Sequence, residues 1–427
     1  SANKNAVKEE WEKCDLLKYV TYFMTQEDGT KEEVCVFGNE FYQDVETPDG
    51  YTLIRDEVSG EICYALVSSD QMEYASSGIK YQGGETPASV KKIVNQHARI
   101  SPQSIKTKIS EKQKQLGFDK DKMAGSDKIE LRTASILPDT IYGIVVLLDF
   151  KDVKSDVTKE QVEKFCNGDN YNEFGNSRSV KEYYQWISGG KLTYINYVTD
   201  FVTMPQNKSV YDNENYDPWL DNLKLGFLDT ISNVVLSDRF VEKSKLTKIS
   251  SQFGSNYYVV NIFYAGFPEC GWSEGLWPHM AMFGLNIDPK NTYGNPYQMS
   301  NLGDELTVGC FIHETAHLVC GWPDFYSYDG LEVNNNIYGI GTQWIGSKTK
   351  SPLAPSPYCL EMMGWAKKIN ITDLKNGELV TLKKEVGNVA VYYGSQETAS
   401  SNERYYLEVR DEAPEYLRGK QLKGLFV

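Results

Sequence analysis

An α+β fold is what this sequence predicts, on three features of its patterning. Residues 34–66 alternate apolar and polar, the two-residue period of strands with one covered face. Ile141 to Phe150, and again Tyr257 to Ala265, are apolar runs rich in β-branched and aromatic residues, as strands buried on both faces require. Helical spacing fills part of the interval between them and returns from Leu306 to Val319, before short strand-like runs resume at Leu379.

The elements follow in chain order. Pro48-Asp49-Gly50 and Ser59-Gly60 punctuate the first alternating region as turns, so residues 1–100 form a small antiparallel β domain. Ser101 to Arg132 carries many lysines, Gly117 and Gly125, and few large apolar residues. Residues 101–135 read as a linker with a short polar helix, either a plain interdomain connection or an exposed segment open to proteolysis. A central domain spans 136–370. It holds the strand Ile141–Phe150, helices over 157–165 and 180–187, the strand Tyr257–Ala265, and a helix near Leu306 with Asp304 as N-cap and Gly321 as stop. Residues 371–427 begin a β-rich C-terminal domain, and Phe426-Val427 falls within a strand, so that domain is expected to continue.

Composition narrows the classes of function. A chain of 427 residues has room for two or three domains and a large core. Net charge is −15, from 44 Lys and Arg against 59 Asp and Glu, with no basic cluster to follow a phosphate backbone. Nucleic acid is therefore not an expected partner. No apolar run reaches membrane-spanning length, so no transmembrane segment is expected. No signal peptide begins the chain, although Ser1-Ala2-Asn3 is compatible with a start just after a removed one. Abundant tyrosine (29 residues), with many Asn and Ser, suits a secreted or cell-surface setting. Eight cysteines are too few for a disulfide scaffold and match no zinc ribbon; a Cys310–Cys359 bridge and buried free thiols both stay open.

Chemistry concentrates in His313-Glu314-Thr315-Ala316-His317, which holds two of only four histidines. Positions four apart lie one above the other on a helix, so both imidazoles can reach a single metal ion. Leu306, Val308, Phe311, Ile312, Leu318 and Val319 supply the apolar stripe that sets the pair mid-helix, where ligands are held rigidly. Glu314 faces the open side of such a metal and can take a proton from a bound water. These residue types point to Zn2+ with His313 and His317 as ligands and Glu314 as general base. The bland alternative is a core helix carrying two hydrogen-bonded histidines. A thiolate from Cys14, Cys35 or Cys63 would silence a zinc by filling its fourth position, though no motif supports one.

The chain continues Leu318-Val319-Cys320-Gly321-Trp322-Pro323-Asp324-Phe325-Tyr326. A glycine soon after the second histidine, then an acidic residue, resembles the extended motif of metzincin-type peptidases. The acidic residue followed by an aromatic resembles one family in particular, the M6 or immune-inhibitor-A-like peptidases. Ser179-Val180-Lys181-Glu182-Tyr183-Tyr184 with Ser188-Gly189-Gly190-Lys191-Leu192, and Trp277-Pro278-His279, are similar to that family's segments before the active-site helix. Gly38 to Tyr42 and Glu46 to Tyr51 resemble its pro-region, and Tyr405 to Arg410 resembles a strand beyond its catalytic domain.

The resemblance implies a zincin/metzincin-like catalytic domain over 136–370, Zn2+ held by His313, His317 and Asp324, protein or peptide substrates, and synthesis as a zymogen. Its pro-domain is expected to cover the cleft or place a group near the metal. Two departures stand out. Gly321 comes one residue later than in the family, which shifts Asp324 equally; Gly321 and Pro323 still end the helix, so Asp324 stays the expected third ligand, with Asp329 and Glu332 as alternatives. The stretch Gly339 to Gly346 lacks the family's turn methionine, leaving Trp344 or Ile345 as a hydrophobic floor, while Met362 and Met363 fall in the following helix.

Other residues carry weaker signals. His279 either contacts substrate or a site residue, or is a hydrogen-bonded structural histidine. Asp324, Asp329, Glu332, Asn334, Asn335 and Asn336 form an oxygen-rich stretch that suits Ca2+ or a plain polar loop. Tyr326, Tyr328 and Tyr338 are each able to donate to an oxyanion. His97 reads as solvent-exposed. The function expected from all this is a secreted zinc metalloendopeptidase. Its rival is a catalytically degenerate peptidase-fold module that binds metal and a protein partner or surface ligand.

Overall fold

The computed structural model describes residues 20–26, 28–39, 42–56, 58–115, 137–213, 215–216, 218, 223–237, 239–250, 256–270, 275–288, 294–322, 350–394, 404–412 and 422–426. At the N-terminal end, β1 (Val20–Thr25), β2 (Lys31–Asn39), β3 (Tyr42–Glu46), β4 (Thr52–Arg55), β5 (Ile62–Val67) and β6 (Tyr74–Lys80) pair in chain order as an antiparallel meander. The expected turns are present, with Gly50 and Gly60 at φ 85° and 70°, a region that side chains resist. Met24, Val34, Leu53, Ile62, Tyr64 and Tyr81 fill the core beneath. Gln26 curls the sheet: its buried amide accepts from Ile62 N at 2.7 Å and donates to Tyr81 O at 2.6 Å.

His97 departs from its sequence reading. Its Nδ1 lies 3.1 Å from both carboxylate oxygens of Glu46, whose side chain has no exposed surface, and Arg99 Nη2 donates to the same carboxylate at 2.6 Å. The partner is 51 residues away in sequence, so nothing local announces it. Burial would raise the Glu46 carboxyl, but the His97 bond and the Arg99 charge outweigh it and hold the group below the ordinary range.

Helix α1 (Pro102–Gln115) occupies the first part of the stretch read as linker. It is not a free tether. Ile109 is buried in the central domain's rear core, and Ile105 and Tyr42 of β3 pack on the same cluster.

The central domain runs β7 (Thr140–Asp149), α2 (Lys159–Asn167), α3 (Val180–Ile187), β8 (Thr193–Thr203), α4 (Lys208–Tyr211), α5 (Phe227–Leu236), β9 (Lys248–Ser250), β10 (Asn256–Tyr258), β11 (Val260–Ala265), β12 (His279–Leu285), β13 (Asn295–Leu302), α6 (Val308–Cys320) and α7 (Pro357–Met362). Capping boxes start α2 (Thr158 with Gln161) and α3 (Ser179 with Glu182). The stretch Tyr257–Ala265 is two strands: β10 pairs with β9, and β11 enters the main sheet. That sheet has the order β12-β13-β11-β7-β8, with β13, β11, β7 and β8 parallel and β12 an antiparallel edge.

Alternate residues of β7 serve two cores, as a two-faced buried strand must. Val145 and Leu147 face α2, α3 and α6, whereas Ile144, Val146 and Leu148 face α4, α5 and Ile109 of α1. The N-terminal region thus meets the central domain on the rear face, opposite α6. Residues 1–19 and 116–136, which the pro-region resemblance also involves, lie outside the described residues.

A four-stranded C-terminal sheet, β14 (Lys367–Asn370), β15 (Asn388–Tyr393), β16 (Arg404–Glu412) and β17 (Leu422–Phe426), begins slightly before residue 371, because β14 pairs with β15. Arg410 ties it to the central domain by donating to Ala354 O at 3.3 Å and Pro355 O at 3.1 Å. Among the described residues no helix is long and apolar enough to cross a membrane.

Candidate metal centre

Helix α6 carries the motif, and its start is capped from a distance. Its N-cap residue, Thr307, makes no side-chain cap bond, and Asp304 lies outside the helix, contrary to the sequence reading. Asn176, 2% exposed and from the segment between α2 and α3, does the work. Its Oδ1 accepts from Val308 N at 2.9 Å, and its Nδ2 donates to Leu306 O at 2.8 Å and Glu173 O at 3.0 Å. A cap supplied 132 residues away leaves no local trace. At the other end Gly321 adopts the left-handed conformation (φ 63°) and its N–H donates to His317 O at 3.1 Å. Cys320 completes the last helical turn, and the chain reverses at Gly321.

His313 and Glu314 are buried, at 3% and 2% exposure, and His317 is partly open. The two Nε2 atoms lie 3.1 Å apart, and the rings stand at 88°. Two imidazoles on one tetrahedral zinc, each bonded at ~2.0–2.1 Å, hold their nitrogens about 3.3 Å apart. The observed separation is within a few tenths of an ångström of that value, and it equally fits an N–H···N hydrogen bond between the two rings.

His317 Nδ1 lies 2.6 Å from Trp322 O. A carbonyl only accepts, so Nδ1 carries a proton, which in the neutral ring leaves the lone pair on Nε2. That is the state a metal ligand needs, fixed by a neighbour the ligand does not share with the metal.

Three residues from other elements hold α6, two through its backbone and one through Thr315. Tyr184 of α3 donates to Ile312 O at 3.1 Å, and Tyr257 of β10 donates to Leu318 O. These carbonyls belong to the residues just before His313 and just after His317. Thr315, on the helix between the histidines, donates to Asn261 Oδ1 at 3.4 Å. Asn261 anchors a buried network across the sheet, donating to Tyr194 Oη at 2.8 Å and Asn196 Oδ1 at 3.0 Å and accepting from Gln298 at 3.1 Å. Gly143 leaves room for it, since a Cβ there would stand 2.8 Å from Asn196 Oδ1. Buried polar groups of this kind fix one arrangement when they are paired, as all the Asn261 amide groups are; among the described residues, Asn196 Nδ2 is the buried atom of this network left without a partner. Sequence reading did not find Asn176, Tyr184, Tyr257 or Asn261 in these roles. Tyr184 lay within a family-like segment, and the rest showed no local signal.

The other candidates separate clearly. His279 is 1% exposed, with Nδ1 2.7 Å from Trp277 O and Nε2 3.0 Å from Tyr297 Oη, so it is structural rather than substrate-facing. Cys310 and Cys359 are unbridged thiols, and Cys35 and Cys63 sit buried in the N-terminal meander. Burial pushes the Cys320 thiol well above its ordinary value and Cys359 up to about 12. Asp324, Asp329, Glu332, the Asn334–Asn336 run, Tyr326, Tyr328, Tyr338 and the Gly339–Gly346 stretch lie outside the described residues. Among the described residues no three His, Cys, Asp or Glu side chains converge as a metal cage. Neither a family model nor a curated protein matches this chain.

Proposed function

We propose that the chain is a secreted zinc metalloendopeptidase of the M6, immune-inhibitor-A-like type, with an N-terminal region that restrains it as a zymogen. The observation that carries this reading is the pair of Nε2 atoms 3.1 Å apart on one buried helix, with Glu314 next to the first histidine. The mixed sheet, its antiparallel edge strand β12, and the passage from β13 straight into α6 support a zincin-like catalytic domain. His313, His317 and Asp324 would hold the ion. Bound zinc brings the pKa of a water to about 7 and polarises a carbonyl.

Glu314 takes the proton from the attacking water and returns it to the leaving amine, restoring itself in one turnover. Glu314 is buried on the same helix as the two histidines, and a carboxylate carried on a rigid element lowers the cost of orientation. An extended protein or peptide would bind as a strand beside the site, taking backbone hydrogen bonds as such segments do.

The test is metal content together with casein hydrolysis by the wild type and Glu314→Gln. Both should hold one zinc, while the variant loses ~10²–10⁴-fold in rate. Zinc without hydrolysis in the wild type, on intact and linker-cut chain alike, would move the reading to a degenerate module that binds metal and a protein partner.

A further inference from the structure

We infer that Trp322 and Trp365 are positioning residues for His317, an assignment that rests on the zinc reading above. The link begins at the 2.6 Å bond from His317 Nδ1 to Trp322 O. A backbone carbonyl has no rotamer of its own, so this bond is only as well placed as residue 322. Gly321 reverses the chain and brings residue 322 alongside the last helical turn, but a reversal alone leaves the carbonyl free to swing.

The Trp322 side chain removes that freedom. It is 1% exposed and stands edge-on to Trp365, with ring centroids 5.8 Å apart and planes at 80°. Among the described residues its buried Nε1 has no hydrogen-bond partner, and the contact the ring makes there is its packing on Trp365. Trp365 is itself pinned: it is 6% exposed, and its N–H donates to Leu360 O at 2.8 Å where α7 ends. Position therefore passes from the end of α7 through the two indoles to one carbonyl, and from that carbonyl to the protonation site of a ligand imidazole. Neither tryptophan is a metal ligand. Loss of such an outer contact commonly costs 10–100-fold in metal affinity or activity.

The test uses the full chain labelled with 15N-histidine, where only four imidazoles contribute signals. Long-range 15N–1H correlation at about pH 8, above the ordinary imidazole range, reports the tautomer of each neutral ring in the metal-free protein. Wild-type His317 should be the Nδ1–H form. In Trp365→Ala it should become a mixture of tautomers, and zinc affinity by chelator competition should fall ~10–100-fold. Trp365→Phe, which keeps a ring, should restore both. Trp365→Leu, apolar but not aromatic, carries the same expectation as Ala should the Ala variant fail to fold.

A single Nδ1–H tautomer with wild-type zinc affinity in the folded Ala or Leu variant overturns the assignment, as does a wild-type His317 in the Nε2–H form. A wild type with the Nδ1–H tautomer that takes up no zinc sinks the metal reading while the tautomer result stands, so the two failures are distinct.

Discussion

Replacing Asn176 by Ala tests how the ligand helix is fixed. The amide makes three hydrogen bonds, to Val308 N, Leu306 O and Glu173 O, the first two of them buried. Each is worth ~0.5–1.5 kcal/mol net, and a buried group left unpaired costs ~1–3 kcal/mol. Loss of an N-cap alone costs ~0.5–2 kcal/mol. The capped N–H belongs to the first residue of α6 and the site is 2% exposed, so water replaces little of what is removed. We expect a loss of about 2–4 kcal/mol. Asn176→Asp should fall in between. It keeps the acceptor for Val308 N and sets a negative charge at a helix start, which favours it by ~0.3–1 kcal/mol, but it loses both donors. Urea unfolding followed by tryptophan fluorescence reports mainly on the central domain, because seven of the eight tryptophans lie between residues 186 and 365. With a slope of ~2–3 kcal/mol per M, the midpoint should drop by about 1 M in Asn176→Ala. A midpoint within ~0.2 M of wild type at unchanged slope would refute the reasoning, since the cap would then be contributing almost nothing.

Three more outcomes follow from the geometry. His313→Ala and His317→Ala should each lose metal and activity together, read by metal analysis and hydrolysis, whereas Glu314→Gln keeps the metal; retained zinc in either histidine variant removes that ligand. Limited proteolysis between Ser101 and Arg132 should cut beyond Gln115, and the N-terminal piece should stay bound on gel filtration, because Ile109 and Tyr42 anchor it to the rear face. Activity should rise on cutting if the region restrains the enzyme, and no gain removes the zymogen part of the proposal. Glu46 is held below the ordinary carboxyl value in the folded state, so its stabilisation is complete above ~4.3 and lost as pH falls through the folded value. Burial acts the opposite way at Asp44, raising its carboxyl, and Asp44 also feels the Glu46 charge, so Asp44→Asn is the matched control. Glu46→Gln should flatten the acid limb of a circular-dichroism titration below about pH 5, and an unchanged limb would exclude this pair as its source.

The sequence by itself determined the elements and the motif. Continuous apolar runs marked β7 and β11, Ser179 with Glu182 opened α3, and alternation with Gly50 and Gly60 marked the middle of the N-terminal meander. Four-residue spacing put His313 and His317 on one face of α6, and Gly321 ended that helix despite its shift. All of these depend on interactions between residues a few positions apart, which periodicity records. The tertiary structure alone decided the rest. It paired His97 with Glu46, moved the cap of α6 from Asp304 to Asn176, and set Tyr184 and Tyr257 on carbonyls flanking the histidines. It also made His279 structural, carried α1 to the rear face, and put Trp322 O on the imidazole of His317. Each of these joins groups by direction and distance in space. A side chain's partner is chosen by whichever donor or acceptor folding brings within about 3 Å, and residue spacing holds no information on that choice.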